Sequence, residues 1–241
     1  MKTQMRKGLK KGFTLIELLV VITIIAILAS LAVPTFGRIQ ERGNITKGIS
    51  NARQIITALR IYSSDHSGNY PDIAVSSGSG GTGGTGGTGD TSTANGVFRV
   101  LFEEQILDNE MIFGCPVSRY GNPDGKVGTN GDQAVQTNEN HWAFTTGASD
   151  SASGSLPLVY ENPVSAAWDP SWNPQLAGTN APGRSWSGGK VIIGQNDSSV
   201  ALQQLEDKNA ASKLKGGADN LFARFAGADG AEGAYNTVGP E

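Results

Sequence analysis

The chain has 241 residues, 38% of them hydrophobic, with 33 Gly and 10 Pro, which leaves room for one anchor-sized segment and one modest domain but not for two enzyme domains. Beyond Pro34 it holds 14 basic residues against 21 acids, a net charge of about −7, which disfavours a specific nucleic-acid-binding surface. Two His and one Cys occur, and no H-E-x-x-H, G-x-S-x-G or G-x-x-x-x-G-K-[ST] string is present, so no enzyme is expected.

Residues 1–12 form a basic leader with Lys2, Arg6, Lys7, Lys10 and Lys11 and no acid. The run Phe13–Val33 that follows carries one charge, Glu17. At about 1.5 Å per residue it makes a helix roughly 30 Å long, the thickness of a bilayer core. The positive-inside bias puts the leader in the cytoplasm and the rest of a single-pass chain outside. An ionised carboxylate in a spanning helix costs roughly 2.5–3.5 kcal/mol on insertion scales, so Glu17 needs a partner, and the nearest bases, Lys10 and Lys11, precede Gly12. An ordinary secretory signal or plain anchor leaves Glu17 unexplained.

Gly12-Phe13-Thr14-Leu15-Ile16-Glu17, after a basic leader and before an apolar helix, resembles the processing site of type IV prepilins and type II secretion pseudopilins. The resemblance implies a bacterial inner-membrane protein with its head in the periplasm. It implies that a prepilin peptidase/methyltransferase cuts after Gly12 and methylates the new amine of Phe13. It also implies that Glu17 meets the Phe13 amine of a neighbouring subunit during filament assembly, and that Pro34 loosens the helix. The chemistry is coherent, because cleavage creates a cation that can neutralise a carboxylate in a low dielectric.

Past Pro34 the pattern stays helical: Ile45, Ile49, Ala52, Ile55, Ile56, Leu59 and Tyr62 recur at threes and fours, so one helix is predicted from Thr14 to about Ser64. Residues 13–34 are its transmembrane and assembly part, and residues 35–65 its periplasmic continuation. Pro34, Gly37, Gly43 and Gly48 predict a kink or looser hydrogen bonding between Val33 and Gly48. The helix should stop at Asp65-His66-Ser67-Gly68-Asn69, ahead of Tyr70-Pro71. A Gly68-x-Tyr70-Pro71 turn after such a helix resembles the G-type major pseudopilins.

The head, residues 66–241, opens on a Gly/Thr-rich stretch, 76–93, that cannot build a core and reads as a flexible loop. Ala94–Ile112 predicts a second helix and its exit. Cys115 reads as a small buried residue. Arg119–Asn140 is a polar loop, and Asp124 and Asp132 in it are weak calcium candidates, since oxygen-rich side chains suit a hard cation; an EF-hand pattern is absent. His141–Thr145 and Leu156–Tyr160 are predicted strands, and Val191–Gly194 with Ser199–Leu202 a hairpin. Between them, Trp168, Trp172 and Trp186 lie among prolines and should pack irregularly over one sheet face, with Trp172 near the surface and of small weight in stability. Lys208–Lys215 reads as a short helix, Leu221–Phe225 as a turn, and Gly227–Glu241 as a tail.

The predicted fold is therefore α+β and pilin-like: a long N-terminal helix on a small, mostly antiparallel sheet with loop-rich insertions. The leading functional expectation is a pseudopilin polymerising into a periplasmic filament for type II protein secretion. Its partners would be copies of itself, other pseudopilins or pilins, the inner-membrane assembly platform and secreted cargo. A surface type IV pilin for adhesion, motility or DNA uptake is the second reading, and a membrane-anchored glycan-binding module using the Trp-rich segment the third.

Overall fold

The computed structural model describes residues 12–72, 91–115, 120–176, 179, 181–226 and 235–241, and of residues 31–35, 38 and 218 the backbone alone. Most of the Gly/Thr-rich stretch thus lies outside the described residues, as does the leader before Gly12. The chain divides into two compact units, Met1–Gly43 and Asn44–Glu241.

Helix α1 spans Leu15–Asp65 as one element. Pro34 has no N–H and so cannot bond the carbonyl four residues back, yet neither it nor Gly37, Gly43 or Gly48 ends the helix. In the first unit every side chain from Phe13 to Ser30 is exposed, Leu15, Ile16, Ile24 and Leu28 among them. Among the described residues no helix is long and apolar enough to cross a membrane; residues 31–35, which finish the apolar run, are described by backbone alone.

In the second unit α1 becomes amphipathic as predicted. Ala52, Ile55, Ile56, Leu59 and Tyr62 are buried in the main core, with Ile45 and Ile49 partly buried against it. They pack on a five-stranded antiparallel sheet of order β4-β3-β2-β1-β5, made of β1 (Trp142–Thr146), β2 (Pro157–Glu161), β3 (Lys190–Gln195), β4 (Val200–Gln204) and β5 (Asn236–Val238). Contact is close at two glycines: a Cβ on Gly48 of α1 would sit 2.6 Å from Ile192 Cδ1, and one on Gly194 of β3 would overlap Ile56 Cδ1, so either isoleucine would have to move its chain end.

Side chains alternate across the strands with period two. Trp142, Phe144, Val159 and Ile192 face α1, while Ala143, Tyr160, Val191 and Ile193 face the other way. This second face is also dry, covered by Trp172, Leu205, Leu214 and Phe222. The Trp-rich segment therefore does lie over the sheet, but Trp172 is not near the surface: it is fully buried and donates its indole N–H to Glu161 O at 2.9 Å. An irregular backbone does not make a segment superficial when its aromatic side chain helps to cover an apolar face.

The stretch Ala94–Ile112 is a helix and its exit, as expected, and two other expectations are corrected. Helix α2 runs Ala94–Glu103, capped by Thr93 Oγ1 accepting from Gly96 N. Gln105 adopts φ 57°, and the N–H groups of Ile106 and Leu107 both turn back to Leu101 O; a 3-10 turn, Glu110–Phe113, follows. Lys208–Lys215 is not a helix, because Leu214 is drawn into the second core and the chain returns extended, with isolated bridges Leu205↔Leu214 and Trp172↔Ser212. The C-terminal tail supplies β5, paired to β1 through Thr145↔Thr237.

Two substitutions weigh the two cores. Ile56→Asp should cost several kcal/mol by stranding a charge, and Trp172→Ala about 3–5 kcal/mol, the usual range for a large buried side chain. Chemical denaturation of the full chain in detergent micelles measures both. A Trp172→Ala midpoint equal to wild type would mean that the second core is dispensable.

Candidate functional site

Three constellations in the described residues carry chemistry. In the polar loop, carboxylate oxygens of Glu110, Asp124 and Glu139 lie within 4.8 Å of one another. Each already meets a protein donor. Glu110 accepts from Gly125 N at 2.6 Å and Val135 N at 3.0 Å, Glu139 from Gln136 N at 2.7 Å, and Asp124 pairs with Lys126 Nζ at 2.6 Å, which holds its carboxyl below the usual range. A calcium ion takes six to eight oxygens, so this trio supplies part of a shell. Of the two residues expected from sequence, Asp124 joins the trio and Asp132 does not; it stands in the next turn, against Gly128.

The second constellation is internal. Cys115 follows the 3-10 turn, His141 precedes β1, Glu161 ends β2, and Arg184 lies in the loop before β3; all four are buried. Cys115 Sγ, a His141 ring nitrogen and a Glu161 oxygen lie within 4.8 Å of one another. Arg184 Nη2 donates to Cys115 Sγ at 3.3 Å, and His141 Nε2 approaches Glu161 Oε1 at 3.4 Å. Glu161 is fixed by Trp186 Nε1 and Ile192 N, each at 2.8 Å. Burial pushes the Cys115 thiol up, but His141 and Arg184 outweigh it and hold the thiol below its ordinary value. Burial likewise pulls His141 down, and Cys115 and Glu161 reverse this and raise it to about 9. Sequence reading placed Cys115 in the core but could not associate it with His141, Glu161 and Arg184, which lie 26 to 69 positions away and meet only through the sheet.

The third is the entry to α1. Gly12 has open space around its Cα, and Phe13 is 73% exposed. Glu17 Oε2 accepts from Thr14 N at 2.9 Å and from Thr14 Oγ1 at 2.7 Å, and Glu17 N reaches back to Thr14 Oγ1 at 3.3 Å. This is a reciprocal capping box. The sequence signal is Thr-x-x-Glu before an apolar run, and the partner of Glu17 is Thr14 rather than a base. Pro34 lies within α1, its side chain outside the described residues.

A helix with this entry, packed by its outer half on a five-stranded antiparallel sheet, is an α+β, pilin-like arrangement. Residues 8–33 match the family model described as the prokaryotic N-terminal methylation motif. The type IV major fimbrial protein FimA of Dichelobacter nodosus is 43% identical over 53 residues, 22% of this chain and 34% of that protein. The type IV major pilin protein PilA of Myxococcus xanthus (strain DK1622) is 39% identical over 64 residues, 27% of this chain and 29% of that protein. The type II secretion system core protein G of Klebsiella michiganensis is 40% identical over 67 residues, 28% of this chain and 46% of that protein. The matched segments thus span less than half of each relative. No solved structure matches the chain. Motif and relatives together support a structural subunit of the pilin family.

The buried quartet makes stability depend on pH in a defined way. The His141 contribution is complete below about pH 6.5, its ordinary value, and is lost as pH rises through about 9. The Cys115 contribution is complete above about pH 8.5, the ordinary thiol value, and is lost as pH falls. The difference in unfolding midpoint between wild type and Cys115→Ala should therefore depend on pH, shrinking as pH rises through about 9 and the imidazolium is lost, and shrinking on acidification as the thiolate takes up its proton. A difference independent of pH would show a neutral thiol beside a neutral imidazole.

Proposed function

We propose that this chain is a pseudopilin-type structural subunit, processed after Gly12, methylated on Phe13 and polymerised into a periplasmic filament for type II protein secretion. The observation that carries the reading is the first unit. An exposed helix surface of apolar side chains, Leu15 to Leu28, interrupted by Glu17 and Thr23 alone, has to be covered by lipid before assembly and by neighbouring helices after it. The leader fixes the orientation: single pass, N-terminus cytoplasmic, head periplasmic. The partners are the prepilin peptidase/methyltransferase, copies of this chain and other pseudopilins, the inner-membrane assembly platform, and secreted cargo. Glu17 directs assembly: an arriving Phe13 amine replaces the Thr14 donors with a full positive charge, a stronger partner in a low dielectric. Pro34 removes one helix hydrogen bond and makes α1 easier to extend in the filament.

The similarity to FimA and PilA favours a second reading, a surface type IV pilin. Deleting the chain separates the two: loss of a secreted protein from the medium with its accumulation in the periplasm supports the secretion filament, and loss of surface fibres with secretion intact supports the pilin.

Processing is tested by intact-mass and N-terminal peptide spectrometry. The membrane-extracted protein should begin at N-methyl-Phe13, and Gly12→Val, which the open space around Gly12 accepts without disturbing the fold, should keep the leader. A mature protein that begins at Met1 or after Ala32 would remove the reading. Glu17→Leu should insert in the membrane at least as well as wild type, since a costly charge has gone, and yet give no oligomer ladder on crosslinking. Equal ladders from both proteins would sink the role given to Glu17.

A further inference from the structure

The quartet of Cys115, His141, Glu161 and Arg184 has no part in the filament function and is costly to build. Four ionisable side chains are taken out of water around the chain's single cysteine, and the burial of charges is tolerated only where they compensate one another. As a thiolate, an imidazolium, a carboxylate and a guanidinium they sum to zero. A divalent metal ion among Cys115, His141 and Glu161 would leave the buried Arg184 uncompensated and the site carrying surplus positive charge. The arrangement favours an activated thiolate rather than a metal centre.

Two further observations point the same way. His141 Nδ1 and Arg184 Nε are buried and meet no hydrogen-bond acceptor among the described residues, so the cationic groups around the sulfur hold unused donors. Cys115 is also one wall of a cavity of about 450 Å³ bounded by Lys47, Ser50 and Asn51 of α1 and by Met111 and Pro123. Cys115, 6% exposed, thus has cations at its sulfur and belongs to the wall of free volume, and Lys47 of the same wall attracts anions. Thiolates with this surrounding are the reactive class of cysteine.

We infer that Cys115 is a covalent modification site, which exchanges with small anionic disulfides entering the cavity beside α1. In the step, Cys115 Sγ attacks one sulfur of the disulfide, the new S–S bond forms as the old one breaks, and the departing thiolate takes the proton from His141. The products are a mixed disulfide on Cys115, a free small thiol and a neutral imidazole; the disulfide is the oxidant, and no other is needed. Glu161 and Arg184 act as positioning residues, the first on His141 and the second on the sulfur.

The test uses the full chain in detergent, with iodoacetamide and glutathione disulfide as probes; its single cysteine makes every adduct unambiguous. The iodoacetamide rate should change less than about twofold between pH 8.5 and 7, whereas an ordinary thiol slows roughly fifteenfold over that range. Glutathione disulfide should give one adduct by intact mass, reversed by dithiothreitol. Arg184→Met should slow labelling at pH 7 by roughly tenfold and restore the ordinary pH profile, and Arg184→Lys should recover the flat one. The wild-type profile decides the matter even where a variant fails to fold. An ordinary thiol profile, labelling only after unfolding, or one equivalent of Zn²⁺ bound tightly with loss of labelling would each overturn the inference.

Discussion

The second unit depends on how closely the outer half of α1 can approach the sheet. Helix and strands come together at Gly48 and Gly194, where any larger side chain would push the Cδ1 ends of Ile192 and Ile56 aside. That approach aligns Ala52, Ile55, Ile56 and Leu59 with Phe144, Val159 and Ile192 in one dry layer. With α1 occupying one face, the opposite face of the sheet is left apolar and needs its own cover, which is why a Pro-rich segment buries Trp172 beside Phe222 and Tyr160.

Charge in apolar surroundings is met by the same strategy at two places. At the helix entry, Thr14 gives Glu17 two donors, a neutral solution that a stronger cation can displace. In the head, Glu161 is held by an indole and a backbone N–H while it neighbours His141, and Cys115 is held by Arg184. At the entry the groups are exposed, whereas in the head they are buried, with the Arg184 guanidinium over the Trp186 ring at 4.7 Å.

What could be read from sequence follows the range of the interactions concerned. Helix α1 and the hairpin of β3 and β4 are local patterns, and both emerged within a residue or two of their bounds; the hairpin register, Gly194↔Val200, is set by its short turn. The tie between the Gly68-Asn69-Tyr70-Pro71 turn and the rest of the head, Tyr70 Oη to Asn196 Oδ1 at 2.6 Å, spans 126 positions and left no trace in the pattern. Lys208–Lys215 has a helix-like pattern but is extended, because its conformation is decided by where Leu214 is buried. Likewise, Gly227–Glu241 has the composition of a tail, and only the open edge of β1 makes Asn236–Val238 a strand. Of the sites, the Gly12 to Glu17 string is contiguous and was visible; the Cys115 quartet is assembled from four separate loops and strand ends and was not.

That last strand sets the timing of folding. Thr146 of β1 and Asn236 of β5 are 90 positions apart, a stretch that takes roughly 5–18 s to synthesise at ribosomal speed. Until residues 236–241 exist, β1 lacks its outer neighbour, Tyr160 lacks the hydroxyl of Thr237 that it meets at 2.7 Å, and Ala94 N lacks its acceptor, Gly239 O. The sheet edge at β1 therefore stays open until residues 236–241 have been made.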